Sequence, residues 1–286
     1  MEKLKNLNAP KKEIPFAFDL LFKKIFGDEN NINPFRTLIK RTLNINPKVI
    51  EILNVELINR PYKDQKNAVD LIVQIDEGIK INIEINTSVD QSLINRNVRL
   101  LCLNMSKDLE PGATYREIKS QKQLNFDLKG NHPTPIESYS LMGKNTHTIL
   151  TDTIEIIRYD VPYFKKLCYT NDINKLDGLS RLIGLFGAET KEEVEYICRG
   201  DEELEEIQKQ YEKYTNEEDV IGSYDYELHQ RELARVEREQ AVAEAIEETT
   251  KQRNIEIAKN MLNLGLDIET ISKATGLDIE TIKGLQ

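Results

Sequence analysis

Histidine and cysteine are scarce in this chain of 286 residues, and each scarcity closes off a class of chemistry. His132, His147 and His229 lie far apart, so the sequence offers neither a His-based metal cage nor a His-centred nucleophile triad. Cys102, Cys168 and Cys198 are isolated, odd in number and without a CxxC pair. That pattern argues against a disulfide framework or a zinc site and suits a reducing cytosol. Long apolar runs are missing too: none approaches the roughly 18 residues of a membrane-spanning helix. The opening residues lack the apolar core of a secretion signal, so the expected compartment is the cytoplasm, with no membrane partner.

What is present suits a soluble, core-forming protein: 39% hydrophobic residues and 31% charged ones. The length allows one sizeable domain with an appendage, or two small domains. The net charge of −10 speaks against nucleic acid at first sight, but it is unevenly spread. Residues 1–130 hold 21 Lys and Arg against 17 Asp and Glu, and the remainder holds 18 against 32. The front half is therefore compatible with a phosphate backbone, and the acidity sits behind it.

The segment from Val69 to Asn86 carries the strongest pattern. Val69–Ile75 and Lys80–Ile85 alternate apolar and polar residues around Asp76-Glu77-Gly78, which is turn chemistry, so the spacing predicts a β-hairpin. Leu71, Val73, Ile75, Ile81, Ile83 and Ile85 share one face; Asp70, Gln74, Asn82, Glu84 and Asn86 share the other. Folding about Glu77 sets Asp70 opposite Glu84. Facing carboxylates repel, and a divalent cation is the simplest compensation. The competing reading is the solvent-exposed side of an ordinary half-buried hairpin.

Elsewhere, Phe18, Leu21, Phe22, Ile25 and Phe26 follow helical spacing up to Gly27, and Asn33-Pro34 opens a second helix to about Leu43. Val49–Leu57 reads as a strand and Thr87–Lys107 as a helix on which Arg96 and Arg99 lie one turn apart. Three further strands are expected at Gln123–Leu128, Ile136–Met142 and Thr153–Tyr159. After Pro162 the pattern is helical, with segments near Lys175–Phe186, Lys191–Cys198, Glu202–Tyr214 and Tyr226–Leu264, and a boundary is drawn near residue 165. At the end, Asp267 and Asp278 can each cap a short helix around an apolar seam, the outline of a helix-turn-helix. Its second helix carries no arginine, which favours packing or oligomerisation over DNA reading. The long helix before it suits a self-association arm, so a homo-oligomer is expected.

FAFDLLFKKIFGDENN at 16–31, VDLIVQIDEG at 69–78, INIEIN at 81–86 and TYREIKSQKQLNF at 114–126 resemble, in order and spacing, the Rpn family of recombination-promoting nucleases or transposases, within the PD-(D/E)XK superfamily. The ending AKNMLNLGLDIETISKATGLDIETIKGL at 258–285 is similar to that of many members. The resemblance implies an α/β fold: a restriction-endonuclease-like mixed sheet flanked by helices over 1–165, a helical segment over 166–225, and a long helix with a helix-turn-helix-like tail over 226–286. It also implies a DNA endonuclease dependent on Mg²⁺ or Mn²⁺. Asp70 and Glu84 would be the metal ligands, with the backbone carbonyl of Ile85 as a third and Asp19 reaching the site from the first helix. Lys23, Arg96 and Arg99 are the candidate DNA contacts. Two positions depart from the pattern. Asn86 stands where the superfamily has lysine and this family commonly glutamine, and an amide can only orient a water by hydrogen bonding. Arg99 stands where an aromatic is expected; with Arg96 it either clamps phosphate or lines a solvated helix face. Two rival readings stand beside the nuclease. One is a catalytically silent nuclease fold that binds DNA or protein; the other is a regulatory scaffold acting through its helical tail.

Overall fold

The computed structural model describes residues 13–53, 71–87, 91–106, 114, 118–130 and 132–285. Six strands form one mixed sheet: β1 (Ile50–Ile52), β2 (Leu71–Ile75), β3 (Lys80–Asn86), β4 (Gln121–Asp127), β5 (Ile136–Met142) and β6 (Ile149–Asp160), in the order β1-β2-β3-β4-β6-β5. The hairpin forms as the alternation predicts. Leu71 pairs with Ile83 and Val73 with Ile81, so the two strands fold about residue 77. A 3-10 turn at Asp76–Gly78 closes it, and Gly78 sits at φ +76°, where a side chain would be strained.

β3 runs parallel to β4, and β4 parallel to β6. Parallel neighbours need a crossover, which helix α3 (Gln91–Ser106) begins between β3 and β4. Here the structure departs from the half-exposed hairpin. β3 is a central strand, and both of its faces are covered. Ile81 and Ile83 enter the main core, while Asn82, Glu84 and Asn86 are 2%, 1% and 3% exposed. The polar face is not a solvated one.

On the apolar face the sheet packs against helices from both ends of the sequence. Phe126 on β4 meets Phe186 on α5 (Gly178–Phe186) at 4.4 Å between ring centroids. Phe22 on α1 (Asp19–Phe26) meets the same ring at 5.7 Å. Arg41 on α2 (Asn33–Leu43) donates to Asp201, the N-cap of α7 (Glu202–Tyr214), and to Glu203 within that helix. One core runs from Ile14 to Val220, and the compact unit extends to Tyr224, so packing continues across residue 165. The reason lies in α5: every residue from Ser180 to Phe186 is buried, so the helix needs cover on all sides.

Several boundaries moved; β4, for one, starts at Gln121, two residues before the expected start. β6 begins at Ile149, four residues before the expected start. Helix α4 (Val161–Thr170) was not expected; Asp160 caps it by accepting from the Tyr163 amide, and Pro162 occupies its first turn. The expected Lys175–Phe186 helix breaks at Asp177, whose carboxylate caps α5 through the Ser180 amide. α6 (Lys191–Cys198) lies where expected.

Residues 225–286 form a second unit. It takes in the distal part of α8 (Glu218–Asn263), then α9 (Ile268–Thr275) and α10 (Ile279–Lys283). Ala258, Ile271 and Ile282 make its small core. Asp267 and Asp278 cap the two short helices as the sequence suggested, accepting from the Thr270 and Thr281 amides. No helix among the described residues is long and apolar enough to cross a membrane.

Candidate metal centre

Glu84 lies in the middle of β3, on the face turned away from the main core. A carboxylate sealed from water needs hydrogen-bond donors, yet its Oε1 has none among the described residues. Burial pushes the Glu84 carboxyl up to about 7, against the pull of the Arg96 and Lys23 charges, while Asp19 adds repulsion. Neighbouring Asn82 also favours the ionised form, although neither of its amide atoms completes a hydrogen bond. Four groups named from the sequence thus gather around one point: Glu84 from β3, Asp19 and Lys23 from α1, and Arg96 from α3.

Lys23 does not face solvent. It is 1% exposed, and its Nζ sits 2.9 Å and 2.8 Å from the two carboxylate oxygens of Asp19, one helical turn away. Arg96 and Arg99 are exposed on α3. Asp70 falls outside the described residues. Among those that are described, no three His, Cys, Asp or Glu side chains converge as a metal cage.

Asn86 has a different setting from the one expected of a water-orienting amide. Its Nδ2 donates to Asp127 Oδ1 at 2.7 Å, and its Oδ1 accepts from Asn97 Nδ2 at 3.2 Å. Both ends are occupied by protein. Asp127, fully buried at the end of β4, also takes Arg158 Nε at 3.0 Å and Nη2 at 2.9 Å on its other oxygen. His132 Nε2 stands 2.8 Å from that oxygen, off the hydrogen-bond direction. Asn125 ties in from the next turn of the strand, accepting from Asn97 and Gln123.

This second network was missed by sequence reasoning. Its signal was available: Gln121, Gln123, Asn125 and Asp127 alternate along β4, a strand whose crossover connection makes it parallel. Central parallel strands are usually apolar on both faces, so a polar stripe there marks a specialised site.

The donor set suits a hard divalent cation. Glu84 Oε1 and Asn82 Oδ1 are buried oxygens that find no hydrogen-bond donor among the described residues, and oxygen ligands are what Mg²⁺ and Mn²⁺ take. Such a set is more informative than a solvated acidic patch, because it has been desolvated without being satisfied.

Comparison with known proteins agrees with this geometry. Residues 16–245 match the family described as PD-(D/E)XK nuclease family transposase. Residues 251–286 match the C-terminal HTH domain of the Rpn/YhgA-like nuclease family. Searches of curated proteins and of solved structures returned no match. The first match spans the whole sheet and the helices packed on it. A mixed sheet with a buried carboxylate on its central strand, the two family matches and the four motifs in order point the same way: this chain belongs to the PD-(D/E)XK nuclease transposase family and ends in an Rpn-type helix-turn-helix domain.

Proposed function

We propose that the protein is a DNA endonuclease dependent on Mg²⁺ or Mn²⁺. The observation that carries this reading is the buried Glu84 carboxylate with one unsatisfied oxygen, on a fold shared with nucleases. Asp70 and Glu84 are assigned as the metal ligands, with the Ile85 carbonyl as a third. Asp70 immediately precedes Leu71, and Leu71 pairs with Ile83, the residue before Glu84. When bound, the cation neutralises charge on the scissile phosphate and makes a water acidic enough to attack.

The chain's own residues supply the rest. Lys23 brings a desolvated positive charge beside the carboxylates, where position 86 offers an amide and no charge. Asp19 positions that ammonium. Asn82 takes over the water-orienting role, since both of its amide atoms are unpaired and those of Asn86 are not. Asn86 instead fixes the end of β3 to Asp127. Arg96 and Arg99, exposed along α3, draw the phosphate backbone in. The terminal helix-turn-helix adds DNA affinity. Leu233, Val236, Val242 and Ile246, exposed along α8, favour self-association.

Supercoiled plasmid incubated with the purified protein in Mg²⁺ or Mn²⁺ tests the reading. Nicking is expected, abolished by EDTA and by the double substitution Asp70→Ala, Glu84→Ala. A folded protein that binds plasmid but never nicks it would instead be a catalytically silent nuclease fold. The closed hydrogen bonding of Asn86 is the observation that favours that second reading.

A further inference from the structure

Beside the carboxylate site lies a cleft of about 270 Å³ that the reaction above does not use. It opens between α3 and the sheet. Its walls are Ile94 and Val98 from the helix, Ile156 from β6 and Tyr139 from β5, the last with nearly half its surface open. Its polar lining includes Asn97 and Arg158. This is the make-up of a site for a flat, mostly apolar ligand with a few fixed polar edges.

Two polar atoms there are unspent. Asn97 is 4% exposed and gives its Nδ2 to Asn86 and Asn125, which leaves its Oδ1 without a donor among the described residues. Arg158 uses Nε and Nη2 on Asp127, so its Nη1 remains for a ligand. An amide and a guanidinium on the lining of an apolar slot that also holds an aromatic ring suit the edge and face of a nucleobase. Placement supports the same ligand. Asn86 lines the cleft and stands two residues from Glu84 on the same strand face, about 7 Å along β3.

We propose that this cleft receives a nucleobase extruded from its stack, beside the Glu84 site. Enzymes that work on extruded bases read them by edge hydrogen bonds and by stacking on aromatic or apolar side chains, and this cleft provides both. The base comes from the DNA strand being cut, which rests on the nuclease reading, or from a free nucleotide, which does not. The pocket's chemistry is the same in either case.

The test uses 2-aminopurine, which presents a donor and an acceptor side by side and brightens when unstacked. With Ca²⁺ in place of Mg²⁺, the full-length protein is mixed with duplexes carrying the probe at successive positions, and separately with 2-aminopurine deoxyribonucleotide alone. Two variants are compared: Ile94→Phe, which fills the slot, and Tyr139→Ala, which removes its aromatic side. A saturable change in emission at one duplex position alone, lost in Ile94→Phe, supports the proposal with DNA as the source. Tyr139→Ala should weaken that complex about tenfold. Saturable binding of the free nucleotide with no signal from any duplex supports it with a nucleotide as the source. No response in either arm, or a response that both variants leave unchanged, overturns it. Circular dichroism on each variant confirms folding. Cleavage is scored separately in Mg²⁺, so an inactive protein that still unstacks one base would sink the nuclease reading and leave the pocket standing.

Discussion

Replacing Glu84 by glutamine should make the metal-free protein more stable, although it removes the residue assigned to hold the metal. The folded carboxyl is raised from its ordinary 4.5 to about 7 by burial, so above pH 7 the folded state holds a charge it would rather neutralise. A tenfold change in acidity is worth about 1.4 kcal/mol, so the displacement amounts to a penalty of roughly 3 to 4 kcal/mol. The sign follows from proton binding. Between pH 4.5 and 7 the folded state holds the proton and the unfolded state has released it, so stability falls as pH rises through that window. Glutamine has the same shape and no charge, so it escapes the penalty. Thermal and urea unfolding in EDTA, at pH 5 and pH 8, measure the difference between variant and wild type, in which the other titrating groups largely cancel. At pH 5 the two proteins should differ by no more than about 1 kcal/mol. At pH 8 the variant should gain about 3 kcal/mol, which for a unit of this size is roughly 6 to 12 °C in Tm. A variant no more stable at pH 8, or one whose advantage is the same at both values, would refute the account of Glu84 as a desolvated and uncompensated charge.

Mg²⁺ or Mn²⁺ should raise the Tm of the wild type in a concentration-dependent way, by about 2.7 kcal/mol of stability at a hundred times Kd, and leave Glu84→Gln nearly unmoved. Differential scanning fluorimetry reads both, and equal shifts would remove Glu84 from the ligand set. Arg158→Met strands the fully buried Asp127, and equilibrium denaturation should show a loss of about 3 to 5 kcal/mol. A loss below about 1 kcal/mol would mean that Asn86 and His132 suffice to hold the carboxylate. Asp267→Ala and Asp278→Ala should each loosen the helix-turn-helix through the lost cap, seen as lower hydrogen-exchange protection confined to 258–285. A chain ending at Tyr224 should still unfold cooperatively, because the main core closes at Val220. A broad, non-cooperative melt would count against that division.

Much of the site was legible in the residues because strand alternation is a strict two-residue code. The hairpin centre at 77, the shared face of Asn82, Glu84 and Asn86, and the caps at Asp267 and Asp278 all follow from local geometry that neighbouring residues impose on one another. The ion pair of Asp19 with Lys23 was not read from the sequence, although the two lie one helical turn apart. Family resemblance supplied the chemistry, which no periodicity could.

What alternation cannot convey is what covers a face. Whether Glu84 looks into water or into protein depends on β4 lying parallel beside β3 and on α3 crossing over it, and those partners are about 40 and 10 residues away in sequence. The same holds for Asn86. Its residue type allows it to orient a water, and only the arrival of Asp127 and Asn97 turns it into an anchor. The packing of helices beyond residue 165 onto the sheet was hidden for a related reason. An apolar helix face states that it will be buried, but which surface buries it is decided by long-range fit. Sequence by itself determined the strands, the caps and the kinds of side chain offered to the site. Tertiary structure decided which of them are dry, which are already paired and which remain unpaired, because burial and hydrogen bonding belong to neighbours that meet only on folding.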